Sequence, residues 1–361
     1  RTNHHPDLVE FLLSNGADIE RKNHNGSTAL MWACRHNSYL SVVSALLDAG
    51  ASLEPRSTDG MSPLMFAAAG NRNPKVLLRL LSWGLSVDSR SENENRWTPL
   101  MFAASESQVG ISIETLLEAG AGVEERDTSG RTPLMIAGAF SSSPEVVRAL
   151  LRGGADIEAN ETWLKSTPIM FAASQSNLKV ASALLGAGAN VGFKNKLGQD
   201  ALMYFALFSP QPSIGSLLIL HGADPNKRDL GGYTALMWAA RNNRNGDIVR
   251  ILLNAKAVTD ARDKKGETAL MAASGFNWNP DVCFALVEAG AEINAVDENG
   301  KTPLMYAAES TVNPHVLELL LQRGADPKET DSDGRSALDF AKENKRLEDT
   351  PAFWSLNDLS F

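Results

Sequence analysis

Two cysteines among 361 residues supply no disulfide framework. Cys34 and Cys283 fall in distant copies of a repeat described below, so no bridge between them is expected. Six histidines form no HExxH or other spaced ligand set. His24 and His36, with His4 and His5 nearby, are read as solvated surface groups, and no metal is expected. No run approaches the roughly 18 consecutive apolar residues of a membrane span, so no insertion is expected. Basic residues are also in deficit: 34 Lys and Arg face 43 Asp and Glu, for a net charge of −9. Phosphate recognition needs a basic patch, so the charge argues against nucleic acid as a partner and mildly for basic or neutral ones. Glycines recur as turn residues rather than in a phosphate loop, and no Ser, His and Asp arrangement can be assigned. No loop is long enough to build a pocket. Neither an enzyme nor a cofactor is expected.

What the chain does have is one phrase, repeated. Thr98-Pro99-Leu100-Met101-Phe102-Ala103-Ala104 has counterparts opening at Thr28, Ser62, Thr132, Thr167, Asp200, Thr234, Thr268, Thr302 and Ser336. Successive copies lie 34, 36, 34, 35, 33, 34, 34, 34 and 34 residues apart. Nine of the ten methionines occupy the fourth place of the phrase, which marks an internal repeat rather than chance. A period in this range belongs to solenoids, in which each repeat packs on its neighbours.

A second phrase follows at fixed distance, as in Leu46-Leu47-Asp48-Ala49-Gly50-Ala51 and Leu320-Leu321-Gln322-Arg323-Gly324-Ala325. A polar turn such as Asp127-Thr128-Ser129-Gly130 then leads into the next copy. Over 7–345 this alternation resembles the ankyrin repeat: a turn ending in Gly, an inner helix opened by Thr-Pro-Leu, and an outer helix closed by Leu-Leu-x-x-Gly-Ala. The resemblance implies an all-α solenoid with short β-turn fingers and no sheet core. Two departures stand out. Met replaces the family's His after Thr-Pro-Leu, where a soft apolar contact without polar demands is expected. Most repeats have 34 residues rather than 33, a form that resembles bacterial members, and the extra residue lies between the two helices.

Residues 1–22 read as a partial repeat with its outer helix only, in which Leu8 and Phe11 face solvent or a missing repeat. Residues 23–330 read as nine repeats, and 331–361 as a capping repeat with a short terminal helix. The chain starts at Arg1, so its true N-terminus is expected to be missing, while Phe361 is taken as at or near the true end. Asn73-Pro74, Ser143-Pro144, Asn279-Pro280 and Asn313-Pro314 pair a capping side chain with a proline, which predicts outer helices starting at those prolines. Gly50, Gly84, Gly120, Gly154, Gly188, Gly222, Gly290 and Gly324 should end them at positive φ. Lys256 occupies that place in one repeat, at an expected cost of up to about 1 kcal/mol. The fingers before Thr98 and Thr167 are lengthened and lack Gly.

The fifth place of the phrase is aromatic in eight of ten copies, in a chain with 7% aromatics. The resemblance puts this place on the inner helix, towards the concave face. Trp32, Phe66, Phe102, Phe171, Tyr204, Trp238 and Tyr306 are therefore candidate anchors for a partner, each ring also being able to pack on its neighbour repeat. Trp97, Trp163 and Tyr233 are large rings on finger turns, costly there without a use. Arg35, Arg241 and Glu309 sit near the inner-helix ends. The expected function is to hold a protein or peptide on a preformed surface, with the oligomeric state and the compartment left open and a lean towards a monomer and the cytoplasm. The alternative is a targeting module for an enzyme or effector whose catalytic domain lies upstream of Arg1; a passive spacer is the third reading.

Overall fold

A computed structural model describes residues 6–311 and 313–360. Twenty-one helices follow one another, with no strand among the described residues beyond an isolated bridge between Thr330 and Ser336. Inner helices of about eight residues, such as Pro99–Glu106, alternate with outer helices of about nine, such as Pro314–Gln322. The all-α architecture is the one the repeat implied. The chain falls into two compact units, Arg1–Ala172 with Asn177–Asn190 and Ala173–Ser176 with Val191–Phe361.

The phrase explains the inner helices. In Pro99–Glu106, Thr98 is extended at the N-cap and its hydroxyl accepts from the Met101 amide at 3.3 Å. Pro99 supplies a preset first helical residue whose missing N–H is not needed there. The next residues are buried on every side, because neighbours pack on both flanks. The fourth-place methionine is not the undemanding apolar contact expected. Its Sδ accepts from the N-cap amide of Ser62, Thr98, Thr234, Thr268 and Thr302 at 3.3–3.5 Å. A capping box usually gives this return bond to Glu or Gln. Sulfur accepts weakly and costs little to bury, so Met completes the box inside a core where a carboxylate would be expensive. At the final copy, where the site is exposed, Asp339 takes the role and accepts from the Ser336 amide at 3.0 Å.

Outer helices begin at Pro74, Pro144, Pro280 and Pro314, as their sequences require. Asn73, Asn279 and Asn313 cap them, each accepting at 3.1 Å. Ser143 corrects the expectation: its side chain, shorter than that of Asn, makes no cap bond, although its amide donates to Ser141 Oγ just as Asn313 donates to Thr311 Oγ1. The eight closing glycines all have positive φ, and Lys256 keeps that geometry at 67°. The two lengthened fingers keep the left-handed turn as well. Arg96 (φ 52°) and Lys165 (φ 64°) stand two residues before the phrase, where other fingers have Gly.

Two ladders join neighbouring repeats within each unit. Buried Asn71, Asn243 and Asn277 each donate back to two carbonyls of the preceding repeat, Asn71 to Cys34 at 2.6 Å and Asn37 at 2.9 Å. These satisfy carbonyls that a helix end leaves orphaned. In the opposite direction Lys22, Arg90, Arg126, Lys194, Arg228 and Arg262 each donate to a finger carbonyl of the following repeat.

At the N-terminal side, no residue of Asp7–Ser14 is buried, and Leu8 and Phe11 are exposed. At the other end Pro351–Ser360 buries Ala352 and Leu356. Cys34 and Cys283 are both free and buried.

Candidate functional site

The fifth-place rings differ in exposure although they share one register. Trp32 is 54% exposed, whereas Phe66 (7%) and Phe102 (6%) are buried, as are Tyr204 and Tyr306. Phe171 and Trp238 are half-buried. In three of these rings the polar tip is tied to its own finger nine residues back. Tyr204 Oη is 3.3 Å from Asn195 Nδ2, which donates to it; Trp238 Nε1 donates to Asp229 at 3.0 Å, and Tyr306 Oη to Asp297 at 2.9 Å. The carboxylates also accept from amides of their own turns. These three rings thus lock finger to inner helix, whereas Trp32 stands open to solvent.

In the first unit, Trp97 is a half-buried ring rather than a free one. Its ring centroid lies 5.3 Å from Phe102 and 6.0 Å from Phe140, and Nε1 donates to Asp127 at 3.1 Å. The Arg131 guanidinium lies 6.0 Å from both the Trp97 and Phe140 rings. Trp163 remains in solvent at 71% exposure on its lengthened finger, where Glu161 accepts from the Trp163 amide and, at 2.7 and 3.0 Å, from those of Leu164 and Ser166. Arg35 passes over the repeat that follows it and reaches Glu106 at 2.5 Å, two repeats on. Gly70 opens that path: a Cβ there would stand 2.6 Å from Arg35 Cγ.

In the second unit the structure brings together Tyr233, Trp238 and Arg241. The Tyr233 and Trp238 rings lie 4.8 Å apart. Tyr233 Oη donates to Glu267 at 3.4 Å, and Arg241 approaches the same carboxylate at 4.0 Å. Burial, and then the Glu267 charge, push the Tyr233 phenol up to about 12. The Arg241 guanidinium covers the Phe276 ring at 3.7 Å from its centroid. Glu309 stands apart from these and pairs with Lys301 at 2.9 Å.

Sequence reasoning missed Phe140, Phe208 and Phe276, which end their inner helices and are exposed. The signal was a 68-residue period, hidden because the intervening repeats place Gln175 and Asn242 there. It also expected no pocket, since it looked for long loops. Helices make one instead: a cavity of about 890 Å³ lies between Asp7–Ser14 and Ala29–His36, lined by Leu8, Leu12, Ile19, Trp32 and Val42. The His36 ring there lies tilted against Trp32, with centroids 4.4 Å apart, and His4 and His5 lie outside the described residues.

A family model described as ankyrin repeats (3 copies) matches the chain in overlapping segments, 1–91, 68–161, 139–229, 169–263, 205–297, 245–331 and 270–350. No curated protein matches it.

Proposed function

Because the chain belongs to the ankyrin repeat family, whose repeats are in general protein-interaction modules, we propose that it holds a protein or peptide partner on the face where fingers meet inner-helix ends. The observation that carries this reading is the cluster of Tyr233, Trp238, Arg241 and Phe276. Large rings and a guanidinium are the groups that dominate interface energetics. Here each is held by another group: Trp238 by Asp229, Tyr233 and Arg241 by Glu267, Arg241 over Phe276. Little conformational entropy remains to be lost when a partner docks. In the first unit Trp97, Phe140 and Arg131 offer a similar patch, with Trp32 and Trp163 as separate exposed rings. Phe66, Phe102, Tyr204 and Tyr306 serve mainly to set the surface from beneath. In this reading 23–330 act as nine binding repeats, 1–22 as a partial repeat and 331–361 as a cap.

The test is selection of a random peptide display library on the immobilised chain. Peptides enriched on the parent should bind a variant with Arg241→Ser and Phe276→Ser at least tenfold more weakly, with helical circular dichroism unchanged. A control, Leu220→Ser on an outer helix, should bind them as the parent does. Equal binding by the parent and the Arg241/Phe276 variant would remove this face from the proposal.

A further inference from the structure

We propose that the fingers of the second unit around Leu197, Leu230, Lys264 and Lys265 dock an acidic peptide segment carrying two large apolar side chains; this rests on the binding reading above and names the partner's chemistry. The first observation is a charge island. Residues 194–265 hold eleven Lys and Arg against six Asp and Glu, a net +5. Residues 1–193 carry 16 against 20 and residues 266–361 carry 7 against 17, so the acidity of the chain lies on both sides of the island.

The second observation is what the finger tips carry. The two residues before the turn glycine are His24-Asn25, Thr58-Asp59, Thr128-Ser129, Glu298-Asn299 and Ser332-Asp333 in the other glycine fingers. In three successive fingers of the second unit they are Lys196-Leu197, Leu230-Gly231 and Lys264-Lys265. Leu197 is 46% exposed and Leu230 63%. The Leu230 amide donates to the Leu197 carbonyl at 2.9 Å, and the Lys264 amide to the Gly231 carbonyl at 3.1 Å, so the three tips form one row. Singly exposed apolar residues carry no meaning, but Leu197 and Leu230 stand on adjoining, hydrogen-bonded tips beside a pair of lysines.

The third observation is where the acids of these fingers point. Asp229 accepts from the amides of Gly231 and Tyr233 and from Trp238 Nε1. Asp263 accepts from the amides of Lys265 and Glu267. Asp229 is engaged inside the turn through both oxygens and Asp263 through Oδ1. Lys264 and Lys265 are exposed and have no ion-pair partner among the described residues. The surface therefore offers cations in want of carboxylates beside leucines in want of apolar cover. Glu298 on the next finger bounds the island. A phosphate backbone would meet the lysines but leave both leucines uncovered, which favours the peptide.

The test uses the same display selection. Enriched peptides should be rich in Asp and Glu with two large apolar residues. They should lose at least tenfold in affinity on Lys264→Glu with Lys265→Glu, and separately on Leu197→Ser with Leu230→Ser, and should weaken as salt rises. The tip residues are exposed, and circular dichroism checks that the fold is kept. Enriched peptides that are neutral or basic, or that ignore both pairs of changes, overturn this inference and leave the binding reading standing. A single-stranded oligonucleotide that binds as tightly as the peptides, and indifferently to the leucine changes, overturns it in favour of a nucleic-acid surface. If the selection enriches nothing, both proposals fall.

Discussion

Replacing Met101 by Leu tests whether sulfur is a working part of the helix cap. Both Met101 and Thr98 are fully buried, and the Thr98 amide donates to Met101 Sδ at 3.4 Å. Leucine preserves most of the volume but leaves that amide without an acceptor. A stranded buried donor costs about 1–3 kcal/mol, and the weakness of sulfur as an acceptor puts this case at about 1 kcal/mol. The change of shape adds its own term, up to about 1.5 kcal/mol. Met135 in the same unit isolates it. At Thr132 neither half of the capping exchange is made, and Thr132 Oγ1 has no partner among the described residues. Met135→Leu therefore carries the shape term alone. Urea denaturation should show Met101→Leu as the costlier by about 1 kcal/mol, and hydrogen exchange at the Thr98 amide should quicken roughly fivefold more than at Thr132. Equal costs, with Thr98 exchange unchanged, would refute the sulfur cap.

Asp200 caps its helix in place of Thr, and burial raises its pKa above the ordinary 3.8. A raised acid pKa means the folded form holds its proton more tightly than the unfolded one. The penalty is therefore absent below pH 3.8 and grows as pH rises through the folded value. Asp200→Thr should stabilise at pH 7, the gain closing as pH falls towards 3.8, read from urea midpoints of variant and parent at each pH. Lys256→Gly should stabilise by about 0.5–1 kcal/mol, because a side chain at φ 67° is strained where glycine is not, as thermal unfolding would report. Gly70→Ala should cost about 1–3 kcal/mol by crowding Arg35, more than the roughly 0–1 kcal/mol expected for losing the exposed Arg35–Glu106 pair in Arg35→Ala. In the double variant part of the Gly70→Ala cost should disappear, and strict additivity would disprove the crowding.

Helix starts and stops were legible because each depends on a local residue with a fixed conformational consequence. Pro74 and Pro314 could begin a helix but not sit within one, and Gly50 or Gly324 could turn left-handed without strain. The sulfur cap was not legible, since Met is normally read as apolar filler. Nor was the fate of the aromatic places. Trp32 and Phe102 hold the same place in the phrase, yet one is exposed and the other buried. Neighbouring side chains decide that, and they vary while the phrase does not. The paired tethers Asn195 to Tyr204, Asp229 to Trp238 and Asp297 to Tyr306 were visible as a nine-residue spacing, but only the folded finger gives that spacing a meaning.

The two ladders have a consequence for how such a chain can change its length. Asn277 bonds the carbonyls of Ala240 and Asn243, and Arg228 that of Arg262. Excise residues 235–268, one whole period, and Asn277 finds Ala206 and Ser209 in the vacated register, while Arg228 finds Val296, the carbonyl that Arg262 now holds. Among the 34-residue repeats, a splice of a full period hands each donor that spans it an equivalent acceptor. A splice of half a period orphans those that span it. Polarity of bonding thus makes the chain a ruled tape that can be cut or extended only at its own graduations.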